Sequence, residues 1–146
     1  MLQRMNAMSQ PIKKSVNVRL LSTIQHPDVA AETFDIQTTG ELTIKGAQPY
    51  IVYEETQNEK AIKTTVKLSN DSALILRSGG VKMRLPFVKG ELQNGSYDSG
   101  YGSMMITTNT KQLNFENGHF RVEYELLINE EIAGTYTLEL IYTEAN

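Results

Sequence analysis

Few residues in this sequence could do chemistry: His26 and His119, the serine of Ser78-Gly79-Gly80, and the adjacent carboxylates Glu54 and Glu55. A metal site needs imidazoles or carboxylates at ligand spacing, and neither histidine has such a neighbour. His26 precedes Pro27 and His119 follows Gly118, so both are expected at exposed turns, with no metal bound. A serine nucleophile on a glycine turn works where a strand runs into a helix that helps to build an oxyanion hole, and no helical pattern follows Gly80. Glu54 and Glu55 do not form an acid–base couple by adjacency, because neighbours on a strand point to opposite faces. Gly100-Tyr101-Gly102 lacks the strand–turn–helix setting of a phosphate loop. With no cysteine in the chain, thiolate nucleophiles, thiolate metal sites and disulfides are excluded. The expectation is a protein that is not an enzyme and uses no cofactor.

Whatever these residues do, the elements that carry them belong to one domain-sized chain of 146 residues. Hydrophobic residues make up 40% and charged residues 21%, the profile of a globular protein rather than a disordered one. The 14 Lys and Arg stand against 17 Asp and Glu, and a net charge of −3 gives no overall reason to bind nucleic acid or an anionic membrane. No apolar run approaches the ~18 residues that span a bilayer. Residues 1–10 contain Arg4 but no apolar core of a secretory signal, so a frayed leader is expected before a single domain over 11–146. A cytoplasmic location follows by elimination.

No window shows helical periodicity, whereas alternation with period two recurs over residues 14–143. A first strand over 14–25 places Val16, Val18, Leu20 and Ile24 on one face, and His26-Pro27-Asp28 ends it. A second over 31–44 carries Phe34, Ile36, Leu42 and Ile44, with a bulge or sharp bend expected at Gly40. A loop at Asn58-Glu59 sets Gln57 against Lys60; Ile51, Tyr53 and Glu55 then share a face with Val66, Thr64 and Ile62, while Glu54 meets Lys63 on the other. At the next hairpin a two-residue loop would face Val66 with Ile75 and the side of Arg77. A three-residue loop, Asn70-Asp71-Ser72, matches Leu68 with Leu74 and Val66 with Leu76 and is preferred.

Gly79-Gly80 supplies a two-residue turn with Ser78 opposite Val81, which puts Arg77 and Lys82 across from each other on the outer face. Phe120, Val122, Tyr124, Leu126 and Ile128 align with Tyr136, Leu138, Leu140 and Tyr142 around a loop over 129–135. Asn117-Gly118 sets Phe115 and Leu113 against Phe120 and Val122. Continued strictly, that register would turn Met104 and Ile106 outward, so a bulge is expected between Thr108 and Gln112, bringing Met104, Ile106 and Thr108 inside.

Connections this short predict an all-β, closed antiparallel up-and-down meander barrel of about eight to ten strands, the smallest over 91–97, with a two-sheet sandwich as the competing arrangement. The interior of such a barrel is either filled by side chains or just wide enough for one small ligand. Its expected polar lining is Tyr53, Thr64, Ser78, Thr108, Tyr124 and Tyr136, joined by Tyr142, among aliphatic residues, which suits a small apolar or amphipathic molecule.

Thr64-Thr65-Val66-Lys67-Leu68, then Leu76-Arg77-Ser78-Gly79-Gly80-Val81-Lys82-Met83 and Phe87-Val88-Lys89-Gly90, resemble the YwiB-like family, as do Tyr53-Glu54-Glu55 and the run from Tyr101-Gly102 to Thr108-Asn109-Thr110-Lys111. These are uncharacterised bacterial proteins, and the resemblance implies a calycin-like barrel, similar in outline to lipocalins. It implies no reaction, ligand or functional residue.

The outer face offers an alternative. Arg77, Lys82 and Arg84 are expected to form a shallow anion site on a face shared with Lys63 and Lys67, opposite an acidic face at Glu123, Glu125 and Glu139. A protein or anion partner, or head-to-tail association of copies into a homo-oligomer, would use it. The face has no interleaved aromatics beyond Tyr50, which speaks against single-stranded nucleic acid.

Overall fold

The computed structural model describes residues 11–57 and 59–145; the expected leader, and Asn58 of the expected loop, lie outside the described residues. Ten strands follow one another: β1 Ile12–Gln25, β2 Glu32–Lys45, β3 Gln48–Gln57, β4 Lys60–Leu68, β5 Ser72–Gly79, β6 Val81–Val88, β7 Leu92–Asp98, β8 Ser103–Glu116, β9 His119–Ile128 and β10 Glu131–Glu144. Each pairs antiparallel with its sequence neighbours, and β1 pairs with β10, so the sheet closes into an up-and-down barrel and the sandwich is ruled out. Closure satisfies strand edges that a long apolar meander would otherwise present to solvent.

Turn chemistry sets most of the register. Gln57 stands opposite Lys60, and Tyr53 opposite Thr64, with Glu54 against Lys63 on the outside, as the hairpin rule requires. Asn117 and Gly118 both take positive φ, and Phe115 faces Phe120. The register shift falls between Thr110 and Gln112, within the expected span. It turns Ile106, Thr108, Thr110 and Leu113 into the core; Met104, expected inside with them, is instead exposed, because it lies at the very start of β8, at the rim of the barrel. β9 and β10 keep their apolar residues on one face as expected, but the turn is shorter than the expected loop over 129–135, so the pairing differs: Ile128 faces Glu131 across Asn129-Glu130, both at positive φ, Tyr124 faces Tyr136, and the register shifts between Ile132 and Gly134.

β5 departs from expectation. Its turn from β4 is the shorter one, so Val66 faces Ile75 and Thr64 faces Arg77. Ala73 and Ile75 are therefore buried, and Leu76 points outward at 40% exposure. Ala73-Leu74-Ile75-Leu76 is apolar on both faces, so alternation alone did not say which face turns inward. The next turn compensates: Ser78 faces Lys82, not Val81, and β6 keeps Val81, Met83, Leu85 and Phe87 on the inner side. Gly79, at φ 110, is required there twice over, since a side chain would also strike the Ala61 carbonyl.

The ladder between β6 and β7 lasts three pairs, Lys82 with Asp98 to Arg84 with Ser96. Beyond it Pro86 has no N–H to offer. Thr108 of β8 reaches across instead and donates its hydroxyl to the Pro86 carbonyl. No bulge forms at Gly40, but the last pair between β2 and β3 is Gly40 with Tyr53; residues 32–39 of β2 pair with β1 alone.

Candidate functional site

The barrel has a packed end and an open end. At the packed end, marked by the turns Gly46-Ala47 and Asn117-Gly118, Val16, Leu42, Ile51, Leu68, Phe87, Leu113, Phe120 and Leu140 close the interior, all of them buried. Toward the other end β2 leaves β3 and the wall parts. Phe34 and Ile36 lie on the inner side, opposite Ser22 and Leu20, yet remain 44% and 38% exposed. Leu126, Leu138 and Tyr136 are half-buried against the core beneath. We call this stretch, where apolar side chains of the inner side stay exposed beside the gap between β2 and β3, the cup.

Two polar features line it. The first is aromatic: Phe87 meets Tyr124 at 4.6 Å between centroids and 57°, and Tyr124 stacks on Tyr136 at 5.0 Å and 8°. This column runs from the packed core to the half-buried Tyr136. Burial, and then the neighbouring Tyr136, push the Tyr124 hydroxyl well above its ordinary pKa; burial alone raises that of Tyr136.

The second is a row across β3, β4 and β5, in which Tyr53 faces Thr64 and Thr64 faces Arg77. The Arg77 guanidinium lies 3.6 Å from the Glu55 carboxylate, with the two side chains 26% and 23% exposed. Burial, then the Glu55 charge, push the Tyr53 hydroxyl up to about 12, with Thr64 and Arg77 partly offsetting them. Thr64 lies near enough to Tyr53 to act on it, but its Oγ1 is buried without a partner at hydrogen-bond geometry. Charges on an inner wall are costly unless paired, and Arg77 and Glu55 neutralise each other.

Of the residues expected inside, Tyr53, Thr64, Thr108 and Tyr124 are buried there and Tyr136 and Tyr142 are half-buried. Thr108 is committed to the ladder break, its hydroxyl donated to the Pro86 carbonyl. Ser78 is corrected: the shorter β4–β5 turn flips it to the exposed outer face. The same slip moves Arg77 from the outer face to the inner one, opposite Met83, so the expected cluster of Arg77, Lys82 and Arg84 does not form. Glu55 falls on the inner face in the sequence pattern and in the structure alike, but the spacing alone puts its partner Arg77 on the outer face, so the sequence does not mark Glu55 as part of a site.

Lys63, Lys67, Lys82 and Arg84 remain outward, with Lys63 across from Glu54, Lys82 across from Asp98 and Lys67 over the Tyr50 ring at 6.0 Å. The acidic face is likewise answered: Glu139 meets His119 at 3.0 Å and Arg121 at 3.4 Å, Glu123 meets Arg121 at 2.7 Å, and Glu125 meets Lys111 at 3.5 Å. An open concavity of about 530 Å³ lies on the outer wall of β1, β2 and β10, lined by Asn17, Arg19, Gln37, Thr39, Ile141 and Thr143. Its one charged group, Arg19, is already held by both oxygens of Asp35, at 2.9 and 3.1 Å.

The fold and the cup define the class: a closed antiparallel β-barrel, packed at one end and open at the other. The chain belongs to the family described as a domain of unknown function (DUF1934), whose model matches residues 18–140. It is 28% identical over 126 residues to the "Uncharacterized beta-barrel protein YwiB" of Bacillus subtilis strain 168, covering 84% of this chain and 89% of that protein. The crystal structure of the ywiB protein from Bacillus subtilis superposes with a TM-score of 0.77 at 24% identity, over 92% of this chain and 94% of the other. The likeness bears out the resemblance seen in the sequence and the barrel fold.

Proposed function

We propose that the protein is a binding protein rather than an enzyme, and that it holds one small apolar or amphipathic molecule in the cup at the open end. The observation that carries this reading is the exposure of Phe34 and Ile36 on the inner face of a wall whose packed end is shut. Exposed apolar side chains gathered in a concavity with a few polar groups are the usual make-up of a small-molecule site. Up-and-down barrels such as the lipocalins hold ligands in this way. The outer basic face has less support, because Arg77 is missing from it and acidic residues face two of its lysines.

Fluorescence titration with N-phenyl-1-naphthylamine, an uncharged apolar probe, tests the reading. Saturable binding of one probe per chain is expected, weakened at least about tenfold by Ile36→Asp and by Phe34→Asp, which place charge where an apolar ligand would rest. Both positions are exposed, so these variants should fold. Binding that is absent, or indifferent to both substitutions, overturns it.

A further inference from the structure

Resting on the cup as a ligand site, we infer that the head group it receives is zwitterionic, carrying an ammonium and a carboxylate on one small apolar molecule. Three observations converge. Arg77 and Glu55 are a charged pair on the inner side of β5 and β3, where β3 has parted from β2, and both remain partly accessible. Their 3.6 Å separation brings opposite charges together without a close hydrogen bond, leaving guanidinium donors and carboxylate lone pairs for other partners. Next to them on the inner wall Tyr53 faces Thr64, whose buried Oγ1 has no partner at hydrogen-bond geometry, so this part of the wall holds a polar group that its own neighbours do not satisfy.

Charge balance then selects among heads. A lone carboxylate on Arg77 would crowd the Glu55 carboxylate, and a lone ammonium on Glu55 would crowd the guanidinium. Like charges in a partly dehydrated wall repel more strongly than in water. An uncharged head would leave the pair as it is and gain little from either member. A head carrying both charges lays its carboxylate on Arg77, where two parallel N–H donors fit it, and its ammonium on Glu55, and the site stays neutral. The apolar part of the molecule then lies along Ile36 and Phe34.

A tail-matched series distinguishes these cases: 2-aminooctanoate, octanoate, octylamine and 1-octanol, each titrated calorimetrically against the full-length protein at neutral pH. The inference expects 2-aminooctanoate to bind at least about tenfold more tightly than each of the others. Glu55→Gln should shift the preference to octanoate. The double variant Glu55→Gln/Arg77→Gln, which keeps the wall neutral and the fold checkable by circular dichroism, should level the four affinities. Octanoate, octylamine or octanol binding as well as 2-aminooctanoate overturns the inference while leaving the cup as a site. A preference that persists in the double variant overturns it too. If none of the four binds but N-phenyl-1-naphthylamine does, the head class is wrong and the cup stands; if no compound binds, both fall.

Discussion

Arg77 stands on the inner wall because the β4–β5 turn leaves it no other face, and Glu55 across β4 makes that placement tolerable. The same parity settles its neighbours. Ile75 is buried and Leu76 is 40% exposed, so Ile75→Ala should cost about 2–5 kcal/mol while Leu76→Ala stays within about 1 kcal/mol in urea unfolding. The reverse order would mean that β5 faces the other way and that Arg77 belongs on the outside. The tyrosines make a second residue-scale prediction. Tyr53, Tyr124, Tyr136 and Tyr142 all have hydroxyl pKa values raised above 10.0, chiefly by burial. The unfolded chain therefore releases these protons first, and stability, intact below about pH 10, falls as pH rises toward the folded values. For Tyr53, pushed from 10.0 up to about 12, the share is about 3 kcal/mol. Between pH 9 and 12 wild type should lose about that much relative to Tyr53→Phe; parallel decline of the two would contradict the burial of this hydroxyl.

At the scale of elements, legibility followed the strength of the local signals. β3, β4, β8 and β9 alternate cleanly and are joined by short turns, so their pairings, and the slip near Lys111, could be worked out from spacing. β5 could not, because Leu74 and Leu76 outweigh a single arginine in any count of apolar residues, and only the distant Glu55 shows why the arginine turns inward. The turns on the two sides of β5 are each one residue shorter than spacing suggests, and the two differences offset each other, so β6 faces as its alternation predicts. Where β2 parts from β3 depends on strand lengths and sheet coiling, which alternation does not encode. The break between β6 and β7 gives a prediction at this scale. Thr108 bridges it through the Pro86 carbonyl, whereas the Thr110 hydroxyl is buried with no partner. Thr108→Val should therefore cost about 1–3 kcal/mol, and Thr110→Val should be neutral or stabilising by about 1 kcal/mol, measured by thermal or urea unfolding. Equal losses from the two would show that both hydroxyls are bonded.

Taken whole, the molecule is asymmetric along its barrel axis: core residues fill one end, and the other keeps apolar side chains within reach of solvent. That asymmetry separates a barrel that is merely packed from one that can admit a guest. The most direct test is an NMR titration of the isotopically labelled protein with N-phenyl-1-naphthylamine, whose rings displace the signals of nearby groups. Binding in the cup predicts large shifts at Ile36, Leu126 and Leu138, with Val16, Leu68 and Leu140 at the packed end unmoved. Shifts confined to the outer wall around Arg19 and Ile141, or no shifts at saturating probe, would contradict it.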